Sequence, residues 1–326
     1  MFYLTFAKGL NLFFLKMTQI TDTILMIRPV AFRMNEQTAV NNYYQKVIDS
    51  LLPATVNAKA QAEFDAFVEK LRAVGVKVIV VDDTVSPDTP DSVFPNNWIS
   101  FHENGDVVLY PMFAENRRAE RREELIDLVE DEGFAINEIM DYTSAEEDGI
   151  FLEGTGSLVL DRENRKAYCA LSPRADEELM IEFCEDFEYT PVIFEAFQTV
   201  DGERKQIYHT NVMMCVGTTF AVICADCIDD KKERKMVLDN LRKDGKEIVL
   251  LTEAQLNHFA GNMLQVQGAD KSYLVMSNAA REVLTKDQVT KIEKHAEILT
   301  ANLDTIEACG GGSARCMMAE IFSPKK

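Results

Sequence analysis

Short apolar runs and amphipathic stretches alternate along this chain in a fixed order. Ile24-Leu25-Met26-Ile27, ended by Arg28-Pro29, reads as a buried strand feeding a loop. Residues Glu63 to Leu71 put Phe64, Phe67, Val68 and Leu71 on one helical face, Gly75 supplies a stop, and Val76 to Val81 is a β-branched strand. Two apolar runs, Trp98 to Phe101 and Val107 to Tyr110, flank Glu103-Asn104-Gly105-Asp106, and Asn-Gly between such runs signals a hairpin. A charged helix from about Asn116 to Glu132 and a strand from Phe134 complete the unit.

The same order recurs. The runs Ser157 to Leu160 and Ala167 to Leu171 precede a helix near Asp176 to Phe187 and a strand at Pro191 to Phe197. A third copy has strands at Tyr208 to Val216 and Thr219 to Cys224, a helix Asp229 to Asp244 and a strand Glu247 to Leu251. The fourth has strands at Asn262 to Val266 and Tyr273 to Met276, a helix Thr285 to Leu299 and a strand near Asp304. Hairpins thus start near Trp98, Gly156, His209 and Asn262 at intervals of roughly 55 residues, a repeat signature. A final strand, Arg315 to Phe322, joins the first strand, helix and following strand into a fifth unit that brings the two chain ends together. The pattern predicts a single α/β domain, a closed ring of five ββαβ units. An ordinary α/β sandwich with coincidental spacing is the alternative.

Charge and cysteine usage narrow the function. With 54 acidic against 34 basic residues the net charge is −20, which argues against nucleic acid or an anionic membrane as partner and favours a small molecule. Seven cysteines at irregular spacings imply reduced thiols and a cytoplasmic setting, and leave a homo-oligomer open. Cys224-Ala225-Asp226-Cys227 has redox or zinc spacing, but no second pair of ligands follows it, so core packing is the expected role. Neither a metal nor a cofactor is expected, since the chain carries no Walker loop and no dinucleotide fingerprint. Residues 1–16 are apolar and aromatic and read as an N-terminal extension or a mis-called start ahead of Met17, leaving 17–326 as the domain.

Candidate chemistry begins at Cys309-Gly310-Gly311-Gly312-Ser313-Ala314-Arg315-Cys316, where glycines let backbone approach whatever the following thiol meets. Cys316 at a strand edge is a candidate nucleophile, and an inert buried thiol is the bland reading. Of four histidines, His102, His258 and His295 are expected at the surface, whereas His209 opens the third hairpin, where it either points toward the ring axis or is a satisfied core histidine. Glu153, in Phe151-Leu152-Glu153-Gly154-Thr155-Gly156-Ser157, starts the second hairpin and could orient that imidazole. Asn96 and Asn97 hold the same place in the first.

Together with Ser172-Pro173-Arg174 and His209-Thr210-Asn211, these motifs resemble the guanidino-group-modifying, or pentein, superfamily, most nearly its citrulline-utilising hydrolases and amidinotransferase-like members. The resemblance covers the chain from about Met17 and implies a five-bladed ββαβ propeller. It also implies Cys316 as nucleophile, His209 as general acid and base with Glu153 as its partner, and Arg174 as ligand of a substrate carboxylate. Ala175 replaces the usual threonine after that arginine, and Arg174 could instead cap the next helix. Deiminases hold a guanidinium with two aspartates where this chain has Asn97 and Asn211, a change that suits a neutral ureido group. The implied activity is hydrolysis of citrulline to ornithine, ammonia and carbon dioxide. Arginine deiminase, dihydrolase or amidinotransferase activity, or a non-catalytic scaffold, are the alternatives.

Overall fold

The computed structural model describes residues 17–46, 48 and 52–326, so the expected N-terminal extension lies outside the described residues. Among these residues are five three-stranded sheets and one two-stranded hairpin, Phe197–Val200 with Glu203–Gln206. Each three-stranded sheet has the same order: an antiparallel pair, then a strand parallel to the middle one. A parallel pair needs a crossover, and a helix supplies it in each unit.

In the first unit Ile99–Phe101 and Val107–Leu109 are followed by Ile139–Asp141, in the second Leu158–Asp161 and Lys166–Leu171 by Thr190–Glu195. The third consists of Met214–Val216, Phe220–Ile223 and Glu247–Leu250, the fourth of Leu264–Gln267, Ser272–Ser277 and Glu297–Ala301. The chain ends meet as expected in the fifth: Thr23–Arg28 pairs antiparallel with Ala319–Glu320 and parallel with Lys77–Asp82. Its helix, Pro53–Ala73, begins with proline at its first turn and buries Val56, Ala60, Phe64, Phe67, Val68 and Leu71 at helical spacing. Gln19 ties the second and third units by donating from Nε2 to Leu160 O (2.9 Å) and Val216 O (3.0 Å).

Several elements differ from the expectations, and tertiary contacts explain most differences. The helix expected over Thr285 to Leu299 is capped by Thr285 but ends at Ile292, and Glu297–Ala301 pairs with Tyr273–Ser277. The strand expected near Asp304 is a helix, Asp304–Gly310, whose free Thr305 and Ile306 N–H groups donate to the distant Glu63 carboxylate. The charged helix Asn116 to Glu132 is broken into Glu115–Arg118 and Glu124–Asp131, because Arg117 and Glu120 turn inward as a buried ion pair at 2.9 Å. The strand expected from Phe134 begins at Ile139.

The strands expected over Tyr208 to Val216 and Arg315 to Phe322 each open as a tight turn, Thr210–Val212 and Ala314–Met317, with strand only at Met214–Val216 and Ala319–Glu320. His102 is buried, not superficial: Ser100 Oγ lies 2.8 Å from its Nε2 and its ring packs on Phe187. His258 is exposed and His295 half-buried. Cys224 and Cys227 are both fully buried in the apolar core beneath the third unit. Among the described residues no group of three or more His, Cys, Asp or Glu is placed to hold a metal, and no helix is long and apolar enough to cross a membrane.

Candidate active site

Four of the units deliver a polar side chain from the segment just before their first strand, and the chain's last turn delivers a thiol. Asn97 ends the turn Pro95–Asn97, Glu153 precedes Gly154–Ser157, His209 precedes Thr210–Val212, and Asn262 lies just before Leu264–Gln267. Cys316 sits in the turn Ala314–Met317, not on a strand edge. The helix Asp304–Gly310 stops there because Gly311 takes a left-handed φ of +63°, which reverses the chain toward the thiol.

Glu153 and His209 form a buried pair, Oε2 to Nε2 at 2.7 Å. The other carboxylate oxygen accepts from Phe113 N at 3.0 Å, and Arg174 Nη1 lies 3.4 Å from Oε2. Burial alone would raise Glu153, but the Arg174 guanidinium, His209 and Arg117 outweigh it and hold the carboxyl down to about 2. Burial pushes His209 down to about 4, with Glu153 opposing and Arg174 and Arg117 adding to the drop. At neutral pH the site therefore holds a carboxylate and a neutral imidazole, its Nε2–H donated to Glu153.

Cys316 is 3% exposed and shares no hydrogen bond with His209, although both line one pocket. Its Sγ instead accepts from Asn262 Nδ2 at 3.2 Å and from Asn211 Nδ2 at 3.6 Å. Tyr208 O–H donates to Gly311 O at 2.6 Å and so fixes the histidine segment against the cysteine loop. The pocket is small and is lined by Asp91, Asn97, Arg117, Arg174, Tyr208 and the glycines before Cys316.

Asn97 lines the same pocket in a fixed orientation. Arg117 Nη1 donates to its Oδ1 at 2.8 Å, and an arginine can only donate, so the amide cannot turn over. Its Nδ2 is left buried without a partner among the described residues. That nitrogen and His209 Nδ1 both pack against Gly156, an approach that only glycine allows: a Cβ there would lie 2.4 Å from Asn97 Nδ2 and 2.8 Å from His209 Nδ1.

The remaining expected residues are placed unevenly. Arg174 lines the pocket, but Nε donates to Asn41 Oδ1 at 2.9 Å and Nη2 to Thr38 O at 2.9 Å, so part of its fork is engaged by residues 38 and 41. It does not cap the following helix, since Asp176 does so by accepting from Glu178 N and Leu179 N. Asn211 touches the thiol and also lines a second cavity, with Gln19, Arg162 and Arg315. Asn96 stands off the pocket and donates to Thr155 Oγ1 at 3.3 Å.

Sequence reasoning missed three residues. Asp91 lines the pocket with Oδ1 buried and, among the described residues, unpartnered, while Oδ2 accepts from Asn35 and Thr38; burial pushes its carboxyl up. Arg117 sets the Asn97 amide, and nothing local marks either residue. Asn262 was detectable, because it starts the fourth hairpin as His209 starts the third.

Comparison with known proteins gives one family match and several structures of similar fold. The family model described as N,N dimethylarginine dimethylhydrolase, eukaryotic, matches residues 28–323. No curated protein matches the chain. The apo structure of ArgZ, an arginine dihydrolase from the ornithine–ammonia cycle in cyanobacteria, is similar at TM-score 0.70 and 17% identity over 93% of this chain. This chain spans only 41% of that protein's length. The substrate-bound N-terminal domain of ArgZ, a cysteine-to-serine variant, is similar at TM-score 0.67 and 18% identity, covering 93% of this chain and 98% of that domain. DDAH from Pseudomonas aeruginosa, complexed with citrulline, is similar at TM-score 0.61 and 13% identity over 93% of this chain and 100% of that one.

Proposed function

The chain belongs to the N,N dimethylarginine dimethylhydrolase family, eukaryotic, within the guanidino-group-modifying pentein superfamily, and is a hydrolase of C–N bonds other than peptide bonds; on that premise we propose that it opens a ureido group, converting citrulline to ornithine, ammonia and carbon dioxide. The five sheets form a closed five-bladed ring with Cys316, His209 and Glu153 at its axis. Support for the ring comes from the repeated sheet order, the pairing of the two chain ends, and the delivery of one polar residue from each unit.

The observation that carries the substrate choice is the orientation of Asn97. Arg117 occupies its carbonyl, so Asn97 offers the pocket only N–H donors. A ureido carbonyl accepts such a donor, whereas a guanidinium brings only donors and a positive charge and would leave both sides unanswered.

The residues divide the work as follows. Cys316 attacks the ureido carbon as thiolate, and its proton is taken up by the neutral His209 imidazole. Glu153, held ionised by Arg174, stabilises the imidazolium that forms. The oxyanion of the tetrahedral adduct faces Asn97 Nδ2. As the C–N bond breaks, His209 returns the proton to the departing nitrogen, leaving a thiocarbamate on Cys316. Water, deprotonated by His209, then attacks this carbon, the S–C bond breaks, the thiol is restored, and the carbamate released loses carbon dioxide. At the amino-acid end, Asp91 Oδ1 answers the α-ammonium, whose charge favours the ionised carboxyl, and Arg174 answers the α-carboxylate. Asn211, against the sulfur, contacts the ureido group as it arrives. The site is cytoplasmic and uses no metal or cofactor.

Arginine as substrate is the second reading, favoured by the similarity in fold to ArgZ, an arginine dihydrolase. Incubation with citrulline, arginine, agmatine and dimethylarginine, with product analysis, separates the readings. Ornithine from citrulline supports the proposal; consumption of arginine with citrulline left untouched overturns it.

A further inference from the structure

We propose that Asn262 is a catalytic residue that carries the negative charge of the Cys316 thiolate, an inference that rests on Cys316 being the nucleophile. Asn262 stands two residues before the first strand of the fourth unit, as Asn97 does in the first, while Glu153 and His209 stand five residues before theirs. Its side chain is buried, 1% exposed.

All of its polar groups are committed in one direction. Oδ1 accepts from Arg315 N at 3.0 Å, the backbone of the residue just before the nucleophile. A backbone N–H only donates, so the amide cannot turn over, and Nδ2 must face the other way. One of its hydrogens goes to Asn211 O at 3.1 Å and the other to Cys316 Sγ at 3.2 Å. Asn211 Nδ2 is a second, longer donor to the same sulfur.

A donor so placed distinguishes thiol from thiolate. A neutral S–H is a weak acceptor, whereas a hydrogen bond to an ionised partner is about twice as strong as one between neutral groups. Among the described residues no arginine, lysine or histidine nitrogen donates to Sγ, so amides are its direct partners. The titratable groups that line its pocket are Asp91, Arg117, Arg174, Tyr208 and His209, and substitution at 262 leaves each in place. Asn262 therefore stabilises the charge that ionisation leaves on sulfur, both before attack and when the S–C bond breaks.

Alkylation by iodoacetamide tests this without substrate. The thiolate forms an S–C bond as the C–I bond breaks and iodide leaves, and the thiol does not react. The rate at Cys316 is read by mass spectrometry of its peptide across about pH 5 to 9, for wild type, Asn262→Ala and Asn262→Asp, with thermal melts as the folding control. Asn262→Ala is expected to move the pH profile upward and to slow alkylation at pH 7 by roughly tenfold or more. Asn262→Asp keeps an acceptor for Arg315 N but sets a carboxylate against sulfur, so it is expected to react more slowly still. A residue that only shaped the loop would give the opposite order, with Asp nearer to wild type than Ala, and that order overturns the proposal, as do unchanged profiles. If Cys316 of the wild type reacts no faster than the six other cysteines, the nucleophile assignment itself falls. If the Ala variant does not fold, the Asp variant decides: a profile like that of wild type refutes the role.

Discussion

Replacing Gly156 by alanine should disable the site while leaving the fold in place. Gly156 lies in the helical turn Gly154–Ser157 and does not take a left-handed φ, so alanine is acceptable to the backbone. The new methyl would lie 2.4 Å from Asn97 Nδ2, 2.8 Å from His209 Nδ1 and 2.9 Å from His209 Cε1. Ordinary contact begins at 3.4 Å, so the amide must retreat by about 1 Å and the ring by somewhat less. Neither is free to swing: Arg117 holds the amide at 2.8 Å and is itself paired with Glu120, and Glu153 holds the ring at 2.7 Å. Misplacing reacting groups by ~1 Å costs on the order of 10²-fold in rate. Overpacking costs about 1–3 kcal/mol of stability, which in a chain of this size lowers Tm by only several degrees. Ornithine release from citrulline, measured as kcat/KM alongside a thermal melt, checks both numbers. A Gly156→Ala protein within threefold of wild-type kcat/KM would show that Asn97 and His209 are not held where the argument requires.

Three further outcomes follow from the same geometry. Cys316→Ala and His209→Ala should each lose on the order of 10³-fold or more in kcat with a near-normal melt, and Glu153→Gln somewhat less. Asp91→Asn should raise KM for citrulline by roughly 10- to 100-fold with kcat largely kept, since it loses a charge-assisted contact to the ammonium; an unchanged KM would place the ammonium elsewhere. Acid should destabilise the fold in two steps, because both members of the buried Glu153–His209 pair have folded-state pKa values below their unfolded ones and so the unfolded chain binds more protons. Stability from His209 is lost as pH falls from its ordinary value of 6.5 toward about 4, and that from Glu153 as pH falls from 4.5 toward about 2. Melts against pH for wild type and Glu153→Gln check this, the variant losing the lower step.

Much of this site was legible in the chain because its residues sit at repeating positions. The hairpin signals at Trp98, Gly156, His209 and Asn262 were local, and they located the segments carrying Asn97, Glu153 and His209. Asn262 went unassigned although it begins the fourth of those hairpins. What escaped were features created by packing across the chain. Arg117 and Glu120 sit in a charged stretch with helical spacing, and only burial turns them into the clamp on Asn97. The stretch after Ile292 is a strand because a neighbouring strand pairs with it, and Asp304–Gly310 is a helix whose start is satisfied by Glu63, far away in sequence. His102 looked superficial beside an Asn-Gly turn, yet Phe183 and Phe187, contributed by another unit, cover it.

The choice of a ureido over a guanidino substrate rests on one amide, and one comparison tests it. In Asn97→Asp, Arg117 still pairs with one carboxylate oxygen and the other faces the pocket as an acceptor with no proton to give. An unmatched buried carbonyl costs roughly 1–3 kcal/mol, while a guanidinium gains a charge-assisted contact. The measurement is kcat/KM for citrulline and for arginine with wild type and Asn97→Asp at one pH. The account predicts that wild type favours citrulline and that the substitution lowers the citrulline-to-arginine ratio by roughly tenfold or more. A ratio that does not move would contradict it, since the orientation of Asn97 would then have no bearing on which substrate is opened.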